Sequence, residues 1–280
     1  MLEKYFKHFL KTKGFKDVDE VLYSLSYCQG DGCSFTTRLD ANDIQHLIPF
    51  LYPAEASNAP KRIENLFSGQ QSRKFIQDSD EDSLIINITQ QSSHYCHYNT
   101  MSFDWEGNID EDKFDVMSEE RDFDFEEFGN NLMETIYDYA KDCARELESK
   151  GYSLIESFNS EDDHEVWSFK TENYMIKLLE LSDTVTEGVM DDWDEDCFIS
   201  TCESMIIGET VIRSIRAVVF DLRDDPDCDE PIGEDSLWGI ICDSNDLKYG
   251  SYRRDVVSQA VLQAREYLKN IHDNQLGQAA

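Results

Sequence analysis

Val21-Leu-Tyr-Ser-Leu-Ser-Tyr-Cys-Gln-Gly-Asp-Gly-Cys-Ser-Phe-Thr-Thr-Arg-Leu39 consists of two β-rich runs around a turn. In the first run, 21–28, Val21, Tyr23, Leu25 and Tyr27 alternate with largely polar neighbours, which is the period of a half-buried strand. Gln29-Gly30-Asp31-Gly32 supplies the turn, and 33–39 returns as a second strand. Asp-Gly between two such runs is a strong short-range hairpin signal. An antiparallel pair therefore seeds the fold.

Working outward, 2–13 reads as a helix with Leu2, Tyr5, Phe6, Phe9 and Leu10 on one face. Asp40 is placed to cap a helix over 41–51. Two further strands, 84–89 and 95–105, extend the hairpin into a sheet. The clearest helix covers 126–149, with Phe128, Leu132, Ile136, Tyr139, Ala140, Cys143 and Leu147 at three- and four-residue spacings. Gly151 is read as its terminating residue. Strands are expected over 152–158, 165–170, 174–181, 197–207, 211–222 and 236–242, and a last helix over 252–271. This order predicts an α+β fold: antiparallel sheets with packed helices, in two domains, an N-terminal 1–150 and a C-terminal 151–280.

With 40% hydrophobic and 12% aromatic residues, the chain has the means to build a core, unlike disordered acidic sequences. Its start alternates Lys with Phe, Tyr and Leu, unlike a signal peptide. No run approaches the roughly 20 apolar residues of a membrane span. Eight scattered cysteines without a secretory signal point to reduced thiols and a cytoplasmic location.

Charge is the more informative quantity. The net charge is −34, yet residues 1–77 carry 9 acidic against 10 basic side chains, and 236–280 carry 5 of each. The whole excess lies in 78–235. A generally acidified surface would spread it along the chain, and self-repulsion on this scale opposes folding, so a charge-complementary partner is expected. Three runs are densest: 104–127 with twelve acidic residues, 191–196 with five and 221–235 with eight. Trp105, Phe114, Phe123, Phe125, Phe128, Trp193 and Phe198 interleave them. Charge steers encounter and buried rings supply much of an interface's affinity. The candidate partner-binding residues are Asp110, Glu111, Asp112, Asp191, Asp192, Trp193, Asp194, Asp224, Asp225, Asp227 and Asp229.

Each catalytic or metal motif has a duller reading beside it. Cys28 and Cys33 flank the hairpin turn, and His94, Cys96 and His97 lie on a later strand. Neighbouring strands would bring thiolates and imidazoles together, but C-x4-C is not the usual zinc spacing and adjacent strand residues face opposite ways. Asp192, Asp194, Asp196, Ile199 and Glu203 fall at calcium-loop positions one, three, five, eight and twelve, with Cys197 where the turn glycine belongs. Asp78, Asp80, Asp82 and Ile85 repeat the start, but Thr89 closes that loop without a carboxylate. The preferred reading of both is an acidic loop leading into a strand. The chain contains no G-x-S-x-G elbow, Walker loop or dinucleotide fingerprint. No catalytic residue, metal or cofactor is therefore assigned, and the protein is read as a non-enzyme. Lys4, Lys7, Lys11, Lys13 and Lys16 form a modest basic patch, but a chain of this charge is repelled by DNA overall.

The hairpin Tyr23-Ser-Leu-Ser-Tyr-Cys-Gln-Gly-Asp-Gly-Cys-Ser-Phe35, with His94-Tyr-Cys-His-Tyr-Asn-Thr-Met101 and Ser236-Leu-Trp-Gly-Ile-Ile-Cys-Asp-Ser244, resembles motifs of phage and mobile-element proteins. Together they cover about a tenth of the chain. In size and acidity the chain is similar to phage anti-defence proteins, particularly the anti-Gabija inhibitors. That resemblance implies a homo-oligomer that wraps a host nuclease complex and keeps it from DNA; it carries over no functional residue. The expected function is an acidic phage inhibitor of a host DNA-targeting nuclease or helicase complex. Two alternatives stand beside it, a small metal-dependent enzyme using the Cys/His set and a generic acidic interaction module.

Overall fold

The structure is a computed structural model, and it describes residues 1–51, 84–90, 98, 100–107, 125–158, 162–182, 188–223, 230–245 and 249–278. Among the described residues, five helices and two four-stranded antiparallel sheets give an α+β fold. The chain divides into two compact units, Leu2–Gly151 and, together with Met1, Tyr152–Ala280. No helix among the described residues is long and apolar enough to cross a membrane.

The first unit contains α1 (Leu2–Thr12), β1 (Val18–Ser24), β2 (Gly32–Leu39), α2 (Ala41–Leu51), β3 (Leu84–Gln90) and β4 (Met101–Gly107). Most of α3 (Phe125–Phe158) belongs to it as well. The sheet order is β1-β2-β3-β4, with Leu22 opposite Ser34, Arg38 opposite Asn87 and Asn87 opposite Asp104. Tyr5, Phe6, Phe9 and Leu10 of α1 are buried, as are Phe15, Phe35, Ile86 and Ile88. Phe15 is edge-on to Phe35 at 4.9 Å and stacks on Tyr139 of α3 at 5.9 Å. Asp40 caps α2 as its position suggested, its Oδ1 accepting the N–H groups of Asn42 at 2.8 Å and Asp43 at 2.9 Å.

The hairpin forms, but with a longer connection than a tight Asp-Gly turn. β1 ends at Ser24, and Asp31 organises the link to β2. Its carboxylate accepts from the N–H groups of Ser26 and Cys28 at 2.6 and 3.0 Å and from the Ser24 hydroxyl at 2.8 Å. Tyr27 takes a left-handed conformation at φ 58° and is 65% exposed, so the alternation stops short of it.

The expected strand over 152–158 is instead the last part of α3, which runs straight through Gly151. That glycine is not a cap. A Cβ there would come within 2.5 Å of Leu25 Cδ1 and 2.9 Å of Phe6 Cζ, so the bare backbone inside the helix lets these two side chains pack closely against it. Of the expected strand 95–105, only Met101–Gly107 pairs as β4 among the described residues.

The second unit contains β5 (His164–Lys170), β6 (Tyr174–Glu180), α4 (Glu195–Ile206), β7 (Thr210–Asp221), β8 (Pro231–Asp243) and α5 (Gly250–Gln278). Its sheet runs in chain order, β5-β6-β7-β8. Val256, Ala260 and Ala264 of α5 pack on Leu178, Ile215, Ala217, Val219 and Ile240. The strand expected over 197–207 does not form either, because this stretch is α4. Phe198, Cys202 and Met205, four and three residues apart, are buried on one helical face. Their β-branched neighbours Ile199 and Thr201 give the stretch its strand-like look.

Candidate functional site: an acidic turn and helix start

The described part of the acidic middle is built on the turn before α4. Met190 is buried, and the turn closes through Trp193 N–H to the Met190 carbonyl at 3.4 Å. Asp194 then caps the helix, its Oδ1 accepting the Cys197 N–H at 2.9 Å. Glu195 and Asp196 occupy the first turn, where the positive end of the helix dipole favours carboxylates. Asp191, Asp192, Asp194, Glu195 and Asp196 are all exposed, and Trp193 is half-buried among them. Asp194, Glu195 and Asp196 thus have a local reason to be acidic. Asp191 and Asp192 precede the helix and have no capping role.

This geometry removes the calcium-loop reading of Asp192 to Glu203. A cation loop needs a turning, non-helical backbone through its liganding positions one to nine, whereas here the helix already begins at position four, Glu195, and Glu203 lies in its third turn. The preferred reading is corrected too, since the acidic turn leads into a helix rather than a strand. Asp78, Asp80 and Asp82 lie outside the described residues.

Of the other candidate residues, Asp110, Glu111, Asp112, Asp224, Asp225, Asp227 and Asp229 also lie outside the described residues. The borders of the 221–235 run are described. Arg223 grips Asp221 through Nε at 2.9 Å and Nη2 at 2.5 Å, and its guanidinium lies 5.4 Å from the centre of the Tyr174 ring. These hydrogen bonds hold the Asp221 carboxyl below its ordinary range. Glu230 and Glu234 are exposed on the far side of the run.

Of the proposed Cys/His set, His94, Cys96 and His97 lie outside the described residues. Cys28 is exposed and Cys33 is fully buried, where desolvation, with the Glu148 carboxylate adding to it, pushes the thiol up to about 12. A metal ligand must be a thiolate, and this environment favours the thiol. No group of three or more His, Cys, Asp or Glu among the described residues is placed to hold a metal ion.

Sequence reasoning missed one polar constellation altogether. Glu180, 3% exposed, meets Arg213 Nε at 2.9 Å through Oε1. The Tyr249 hydroxyl donates to its Oε2, and His164 Nε2 lies 3.8 Å from the same oxygen. Arg213 Nη1 also donates to the Ser157 carbonyl at 2.7 Å. These residues come from separate elements, so no local spacing announces them. Glu180 and Tyr249 are buried, Arg213 is part-buried and His164 lies at the exposed edge, and the mutual satisfaction of the buried members makes the group a structural tie within the second unit.

The fold and surface together define a two-unit α+β protein with an exposed, aromatic-containing acidic turn. Residues 4–156 match a family described as a domain of unknown function, DUF8835. The match spans more than half of the chain, and the chain belongs to that family. No curated protein and no solved structure matches it. The acidic turn at 191–196 lies beyond the matched stretch.

Proposed function

We propose that this protein binds a basic, nucleic-acid-gripping partner through its acidic middle and so denies that partner access to DNA. Following the sequence resemblance, the partner is a host DNA-targeting defence complex containing a nuclease or helicase, and the protein is a phage-encoded homo-oligomeric inhibitor acting in the host cytoplasm. One observation carries this reading: five carboxylates within six residues, all exposed, surround the half-buried Trp193. Proteins that grip duplex DNA present Lys and Arg to roughly one phosphate per 1.7 Å, and a dense carboxylate surface competes for those same cations. Trp193 supplies the apolar anchor that a purely electrostatic contact lacks.

The test uses the triple variant Asp191→Asn/Asp192→Asn/Asp196→Asn, which keeps the Asp194 cap. Immobilised protein is challenged with host lysate at low and high salt. The expected result is retention of a nuclease or helicase that added duplex DNA displaces. Each exposed charge removed is worth about 0.2–1 kcal/mol, so the triple variant should bind roughly threefold to a hundredfold more weakly. Equal retention by the variant and the parent would count against the reading.

A further inference from the structure

We infer that a cavity of about 230 Å³ between α3 and the start of β4 is a binding site for a small organic monoanion, a carboxylate with a compact apolar body. The site is independent of the acidic turn. It lies in the stretch matched by the family, whereas that turn lies outside it.

One stripe of α3 lines the cavity: Tyr137, Lys141, Ala144, Arg145 and Glu148, with Thr100 and Met101 contributed from the strand side. Their three- and four-residue spacing stacks them along a single helical face. Ala144 and Met101 are buried and apolar, and the small Ala144 side chain leaves the space open between them. The cations above this floor are held in place. Phe103 meets the Tyr137 ring edge-on at 4.5 Å, and Lys141 Nζ sits 4.1 Å from the centre of that ring. Asp142 holds Arg145 through Nη1 at 2.7 Å, and a guanidinium has five N–H donors, so one ion pair does not exhaust it.

Cations are scarce in this chain, with 25 against 59 acidic residues, yet two of them stand one turn apart over an apolar-floored hollow. Charge-assisted hydrogen bonds from such a pair suit a carboxylate head. Glu148, one turn further along the same rim, opposes a second negative charge. A single anionic head with a neutral tail therefore fits, and a dianion does not.

The full chain is titrated with benzoate and hexanoate, with inorganic phosphate as the more highly charged comparison and benzyl alcohol as the neutral one. Binding is followed by saturation-transfer NMR and by the shift in melting temperature. The carboxylates are expected to bind and the two comparisons to fail at the same concentration. Lys141→Gln/Arg145→Gln, at half-exposed and exposed helix positions respectively, should weaken carboxylate binding on the order of tenfold or more. Ala144→Leu should abolish it by filling the cavity; if that variant does not fold, the charge variant alone decides. Three results would overturn the inference: no binding by either carboxylate, undiminished binding by the charge variant, or phosphate binding more tightly than the carboxylates.

Discussion

Glu180 is the buried carboxylate among the described residues, and its partners explain how it is tolerated. A lone ionised carboxylate out of water is costly, whereas one paired with a guanidinium and hydrogen-bonded to a phenol is compensated. Tyr249, which donates to it, holds a left-handed conformation at φ 53° immediately before α5. That backbone costs a non-glycine residue about 1–2 kcal/mol, and the hydrogen bond to Glu180 helps to offset it. Removing the charged pair together should therefore cost less than the two separate removals added up. Glu180→Met leaves Arg213 poorly paired, with an expected loss of about 3 kcal/mol or more in urea unfolding. The double variant Glu180→Met/Arg213→Met should lose clearly less than the sum of the two single variants. Strict additivity would mean that the ion pair couples nothing.

At the scale of elements, the join between α5 and its sheet depends on an absent side chain. A Cβ on Gly233 of β8 would lie 2.4 Å from the Ala260 carbonyl oxygen and 2.5 Å from the Ala264 nitrogen. Both contacts are helix backbone, which cannot swing away as a flexible side chain can. Gly233→Ala should push α5 off the sheet at a cost of about 1–3 kcal/mol. Hydrogen exchange is the discriminating measurement: faster exchange should appear in α5 around Ala260 and Ala264 and in β8, with β1 and β2 unchanged. Unaltered protection in α5 would show that helix and sheet adjust without loss. Gly151 in the first unit is the milder case, since a Cβ there would meet the side-chain ends of Leu25 and Phe6, which can give way more easily than backbone.

For the whole molecule, a net charge of −34 confined to the middle of the chain sets the response to salt. The Debye length falls from about 30 Å at 0.01 M to about 8 Å at 0.15 M, so repulsion between separate acidic runs is screened over that range. The melting temperature should rise by about 5 °C or more across it, since relief of even 1 kcal/mol moves a chain of this size by a few degrees. A flat or falling melting temperature in calorimetry would show that the carboxylates are neutralised locally and do not repel one another. Salt acts in the opposite direction on the proposed partner contact, which screening weakens. Folding and binding therefore separate in a single titration series.

Whatever rests on local period or counting was legible in the residues. The hairpin strands, the Asp40 cap, the core stripe of α3, the long final helix and the antiparallel α+β class arise from alternation, helical spacing and turn chemistry, which act within a few neighbours. The location of the charge excess likewise needed only arithmetic. Short apolar stretches were the point of failure. The segments 152–158 and 195–206 carry patterns that both a strand and a helix can satisfy, and burial at helical spacing, of Leu154 and Ser157 after Gly151 in the one and of Phe198, Cys202 and Met205 in the other, goes with helix. That Glu180, Arg213, Tyr249 and His164 converge depends on residues far apart in the chain. Only chain folding brings such groups within hydrogen-bonding distance, and no nearest-neighbour pattern records it.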